Sequence, residues 1–261
     1  MPFSLVKNRN VNKKSQVTIF VIIAIVLVIA IILFFSLNKK ISLFQGEVSL
    51  TQSLSSCVDT EVNNMDSQLL RQGGVSAPQH YLLVNGDKVS YLCYTEEYAK
   101  ACVNQQPLLK ENMERELASL SYANVSSCIS KEKTRLEKKG YSVSVSNFKQ
   151  TDLKTKLLPG KILIQLNLDF TSSKGDKTEK IAGFETSIKS PAYDYAFLTN
   201  KIISAEIEGA DFNNMLYMLL HRSIIIDKVR SNDYILYKLQ NRNSDKVFIF
   251  LIRNYPIPAG L

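Results

Sequence analysis

Between Val17 and Leu37 the chain reads VTIFVIIAIVLVIAIILFFSL, 21 residues in which Thr18 and Ser36 are the only polar side chains and none is charged. As a helix this run rises about 31 Å, close to the ~30 Å hydrocarbon core of a bilayer. Lipid offers no partner to backbone N–H and C=O groups, so an isolated span satisfies them internally as a helix. A transmembrane helix is therefore expected over 17–37. A cleaved secretory signal would carry a shorter apolar region ending in a small-residue site, and Phe34-Phe35-Ser36-Leu37-Asn38 offers none.

After Gly46 the pattern becomes amphipathic. Leu50, Leu54, Val58, Val62, Met65 and Leu69 recur at helical spacing, and Gly73-Gly74 followed by Pro78 ends that helix near Gln72. His80 to Val84 and Lys88 to Thr95 then flank Asn85-Gly86, a pair suited to the positive φ of a tight type I′ hairpin. Pro107 suits the first turn of a second helix, with Leu109, Met113, Leu117, Leu120, Val125 and Ile129 as its stripe and Lys138-Lys139-Gly140 as its end.

Beyond Gly140 the period drops to two. Residues 141–145, 161–170 and 178–188 alternate as antiparallel strands with one buried face. A helix follows Pro191, and a second is expected from Asp211, as N-cap, to His221. Three closing strands are expected at 223–229, 233–240 and 246–252, with Phe248, Phe250 and Tyr255 as core positions. The fold class is α+β: an N-terminal transmembrane helix, then an ectodomain of long helices, a β-hairpin and a mainly antiparallel sheet with helices. Its segments are 1–16, a cytoplasmic N-terminus or signal; 17–37, the span; 47–140, a helical and hairpin subdomain holding four Cys; and 141–261, an α+β subdomain. No internal repeat separates the last two, so one core can serve both.

The 261-residue chain carries 32 Lys and Arg against 24 Asp and Glu, a formal charge of +8. Such an excess ordinarily suggests nucleic acid. Here Lys7, Arg9, Lys13, Lys14, Lys39 and Lys40 flank the apolar run, residues 1–46 hold no acid, and the remainder is nearly balanced. The charge is a membrane signature, and no nucleic-acid partner is expected. Four bases precede the span and two follow it, which places the N-terminus in the cytoplasm and residues 41–261 outside.

Lys13-Lys14-Ser15-Gln16-Val17-Thr18-Ile19-Phe20 resembles the class III signal of archaeal type IV pilin-like proteins. The resemblance implies a peptidase cut between Ser15 and Gln16. Ser15 stands where Gly or Ala is usual, and Phe20 stands where the family has Glu. The Cys-containing helix, Leu69-Leu70-Arg71-Gln72-Gly73-Gly74, Tyr91-Leu92-Cys93-Tyr94 and Arg253-Asn254-Tyr255-Pro256 are similar to single-pass proteins of small-genome symbiotic (DPANN) archaea. That second likeness implies placement at the membrane and no mechanism.

Cys57, Cys93, Cys102 and Cys128 all lie on the expected outer side, where an even count favours two disulfides. Of the three pairings, Cys57 with Cys128 would staple the two long helices and Cys93 with Cys102 would close a short loop. Four reduced core thiols are the alternative if the orientation is reversed. Their spacings of 36, 9 and 26 contain no CxxC pair and only two His exist, so neither a metal nor a cofactor is expected. His80 and His221 have no acidic or nucleophilic neighbour in sequence and are expected to be structural. Asn124-Val125-Ser126 is a sequon that could carry a glycan at Asn124. Tyr81, Tyr91, Tyr94 and Tyr98 make the hairpin region aromatic, either as cross-strand packing or as a recognition surface.

Three function classes remain. The leading expectation is a membrane-anchored surface protein, a minor pilin-like or adhesive binding module without catalytic activity. Its partners would be the lipid bilayer and either other pilin-like subunits or a surface ligand. The alternative is a filament subunit whose apolar helices form the fibre core, where Lys39-Lys40 would be costly to desolvate. The third is a membrane-tethered extracellular enzyme.

Overall fold

The structure is a computed structural model that describes residues 23–29 and 49–255. The chain divides into two units, Met1–Ser49 and Leu50–Leu261. In the first, residues 23–29 form helix α1, whose Ile23, Ile25, Val26, Leu27, Val28 and Ile29 are exposed. The rest of the expected span, and the Ser15-Gln16 junction, lie outside the described residues. Among the described residues no helix is long and apolar enough to cross a membrane.

The second unit is α+β. Helix α2 (Leu50–Arg71) precedes strands β1 (Tyr81–Val84), β2 (Asp87–Tyr94) and β3 (Val103–Asn104), and helix α3 (Leu109–Lys138) follows. Strands β4 (Ser142–Val145), β5 (Leu153–Leu158), β6 (Lys161–Lys174) and β7 (Lys177–Lys189) come next. Helices α4 (Ala192–Ile207) and α5 (Asn214–Leu220) lead to β8 (Ile224–Arg230), β9 (Ile235–Asn241) and β10 (Val247–Arg253).

α2 stops where its sequence requires. Gly73 and Gly74 take φ of +77° and +79°, and the Gly74 N–H returns to the Leu69 carbonyl at 2.9 Å. A Cβ on Gly74 would lie 2.8 Å from Met113 Cγ, so this glycine also allows the start of α3 to approach the end of α2. At the opposite end Ser53 donates to Glu132 at 3.1 Å, so the two helices run antiparallel. The buried stripe of α2 meets Leu109, Met113, Leu117, Val125 and Ile129 of α3 within one core. Asn85 and Gly86, at φ 51° and 92°, form the expected tight turn between β1 and β2.

Two sheets flank these helices. The first has the order β1-β2-β10-β9-β8, with β3 also on β2. The second is antiparallel: β6 pairs along its length with β7, while β5 and β4 follow one another along its other edge. Inward residues Ile162, Ile164, Leu166, Leu168 and Phe170 of β6 are buried in strict alternation. Thr186 of β7 donates to the Asp59 carboxylate of α2, and Glu114 of α3 accepts the Leu157 N–H of β5 at 2.8 Å, which ties the sheet to both helices.

Two features differ from the expectation, and one pairing adds to it. Among the described strands β2 and β10 pair in parallel while the other pairings are antiparallel, and residues on either side of 140 share one core. β5 is an additional strand whose Leu153, Thr155 and Leu157 point inward between exposed lysines. α5 is capped by Asn213, whose side chain accepts the Leu216 N–H at 2.9 Å, and not by Asp211, which is held by Lys228 and Arg230.

Candidate functional site

All four cysteines are paired, Cys57 with Cys128 and Cys93 with Cys102, at Cα separations of 6.0 and 5.3 Å. The first bond crosses from α2 to α3. The second closes the loop between β2 and β3 and holds it against the end of β10, because Asn254 Oδ1 accepts the Cys102 N–H at 2.8 Å. The Asn254 amide also donates to the Glu206 carbonyl at the end of α4. One side chain thus joins the disulfide loop, the last strand and a helix terminus.

Asn254 and Glu206 also line a cleft of about 360 Å³, together with Asp211, Arg230, Asp233, Tyr234 and Tyr255 among others. The parallel pairing of β2 with β10 explains what gathers beside Tyr255. Both strands end at the same side of the sheet, with Tyr94 opposite Arg253. The Arg253 guanidinium lies 5.6 Å from the Tyr94 ring centre and 5.7 Å from that of Tyr255, within cation–π range of both faces. It also donates to the two phenols, at 3.3 Å to Tyr255 and 3.4 Å to Tyr94. His80 stacks on Tyr94 at 4.0 Å, Tyr91 meets Tyr94 edge-on at 5.4 Å, and Tyr98 packs on Tyr255 at 4.8 Å.

Burial pushes the Tyr91 phenol up, as it does Tyr94, where the Glu96 carboxylate adds to the effect. The Tyr255 hydrogen bond raises the Arg253 guanidinium further, so the cluster centres on a fixed positive charge. Tyr94 donates to Glu96 at 3.0 Å and Tyr255 to Asp233 at 3.4 Å.

The cleft floor is a second network. Glu206 is buried and accepts from Tyr237 and from Lys228, the latter at 2.7 Å. Burial first, and the Glu206 carboxylate second, drive the Tyr237 phenol well above its ordinary range. Lys228 also pairs with Asp211, which Arg230 approaches to 3.4 Å. Paired charges and aromatic faces in a concave site suit stacking and hydrogen bonding to a polar ligand.

Of the expected recognition tyrosines, Tyr91, Tyr94 and Tyr98 come together here. Tyr81 does not join them; its ring is covered by Lys88, with the ammonium 5.0 Å from its centre. Phe248 and Phe250 are fully buried, but Tyr255 lies past the strand end and is half-buried on the cleft. Arg253 and Tyr255 were not among the expected surface residues, because only strand pairing across the whole chain brings them to Tyr94. His221 stacks on Tyr217 at 4.2 Å, away from the residues lining the cleft. Asn124 sits half-buried within α3. Among the described residues no group of three or more His, Cys, Asp or Glu is placed to hold a metal ion.

Comparisons with protein-family models, curated proteins and solved structures find no match.

Proposed function

We propose that this chain is a single-pass, membrane-anchored cell-surface protein whose disulfide-stapled outer domain is a minor pilin-like or adhesive binding module without catalytic activity. The observation that carries the reading is the seat of Tyr98. This tyrosine stands 77% exposed on the loop closed by Cys93–Cys102 and leans on Tyr255 at the cleft mouth. The recognition surface thus depends on a bond that persists in an oxidising compartment. Tyr supplies broad contact area at low entropy cost, which suits a binding face. The apolar run 17–37 supports the anchor, and the Lys13–Phe20 likeness supports the pilin-like assignment.

Intact-mass analysis of natively purified protein, before and after reduction, tests placement: two disulfides and an accessible outer domain on whole cells are expected. Free thiols shielded from reagents applied to cells would refute it. Adhesion of cells expressing a Tyr98→Ala/Tyr255→Ala variant tests the binding face, with a loss of adhesion at unchanged surface level expected. Abundant filaments reacting with an antibody to this chain would instead favour the fibre-subunit role.

A further inference from the structure

α5 is apolar on both of its faces. Tyr217 and Met218 pack inward on the core, and Met218 Sδ accepts the Ile226 N–H at 3.2 Å. Met215, Leu216, Leu219 and Leu220 occupy the outer arc, about 140° wide at 100° per residue. They are 79%, 52%, 66% and 70% exposed. Single exposed apolar residues are ordinary, but four on one seven-residue helix form a patch that calls for an occupant.

The rim identifies the occupant. Arg222 is exposed just past α5, and Arg242, also exposed, donates to the Arg222 carbonyl at 3.0 Å. The acid preceding the helix, Asp211, is already engaged by Lys228 and Arg230. An apolar helix face bordered by cations is the chemistry of an anionic lipid surface. A stable protein partner needs about 800 Å² and 20–30 residues per side, far more than four side chains offer.

We propose that α5 is a peripheral membrane contact: Met215, Leu216, Leu219 and Leu220 enter the headgroup–acyl boundary while Arg222 and Arg242 meet lipid phosphates. The contact goes beyond the anchor reading, and its test separates the two.

The chain contains no Trp, so Leu219→Trp introduces a single fluorescent reporter at an exposed position. The full chain is reconstituted in phosphatidylcholine–phosphatidylglycerol vesicles, with and without brominated acyl chains. Co-flotation reports the anchor. The contact requires blue-shifted emission from the Leu219→Trp reporter that loses most of its intensity in brominated vesicles, and reversal of both effects by Arg222→Glu/Arg242→Glu. A reporter at Lys177→Trp, on the β6–β7 turn, stays solvent-like and unquenched. Water-like, unquenched Leu219→Trp emission in floated protein would overturn the contact while leaving the anchor intact. Blue-shifted emission insensitive to bromine would also overturn it, because another part of the chain or a second copy would then cover the face.

Discussion

Lys246 reaches Asp66 across almost the whole chain: its Nζ lies 2.6 Å from Asp66 Oδ2, with both side chains buried. Ser190 donates to the same carboxylate oxygen at 2.7 Å, and Tyr195 donates to the Lys246 carbonyl at 2.8 Å. The Tyr195 oxygen in turn accepts the Asn241 N–H, and burial pushes its phenol up to about 12. Burial also raises the Asp66 carboxyl, against the opposing pull of Lys246 and Ser190. The knot pins α2, the β7–α4 junction and the β9–β10 turn together.

Removing one partner leaves a buried charge without compensation. Lys246→Met is expected to cost about 3–5 kcal/mol, and adding Asp66→Leu should restore most of that loss. Chemical denaturation of the two variants measures both. A single variant as stable as the parent, or a double variant no better than the single, would show that the pair is uncoupled.

Glu132 supplies a pH dependence. Burial works to raise its carboxyl, but the Arg135 hydrogen bond and charge, with Ser53, override it and hold the group below the usual glutamate range. The unfolded chain therefore takes up the proton first as pH falls. The contribution is present above about pH 4.5 and lost as pH drops through the folded-state value. Arg135 is 41% exposed, so screening keeps the effect under about 1 kcal/mol. Glu132→Gln should flatten stability against pH between about pH 5 and pH 3 relative to the parent. An unchanged slope would exclude this carboxylate as a contributor.

The two disulfides should separate by loop length. With sequence separations of 71 and 9, the chain-entropy relation assigns about 4 kcal/mol to Cys57–Cys128 and about 3 kcal/mol to Cys93–Cys102. Double Ser replacement of the first pair is expected to lower global stability more. Replacement of the second should raise hydrogen exchange in residues 95–101 and detach Tyr98 from Tyr255. Equal exchange in that loop with and without the bond would show that other contacts seat it.

The helices, the β1–β2 hairpin and most strands were legible because each writes its own period and stop: Gly73-Gly74 after the α2 stripe, Asn85-Gly86 in the turn, alternation from Ile162 to Phe170. β5 left a weaker trace, since Leu153, Thr155 and Leu157 are interleaved with lysines and only the inward positions are apolar. Asp211 and Asn213 are both good caps, so residue type alone does not choose between them for α5. Ion pairing with Lys228 and Arg230 removes Asp211 from that role.

Sequence alone determined the apolar run, the charge asymmetry around it, the α+β class and the even set of cysteines, all of which follow from local period and composition. Tertiary structure decided the parallel union of β2 with β10, the Asp66–Lys246 knot and the meeting of Arg253 with Tyr94 and of Tyr255 with Tyr98. Asp66 and Lys246 are 180 positions apart, and Tyr94 and Arg253 are 159 apart. No local pattern encodes such pairs, because their partners are chosen by which strands share a sheet edge and which faces the one core can bury.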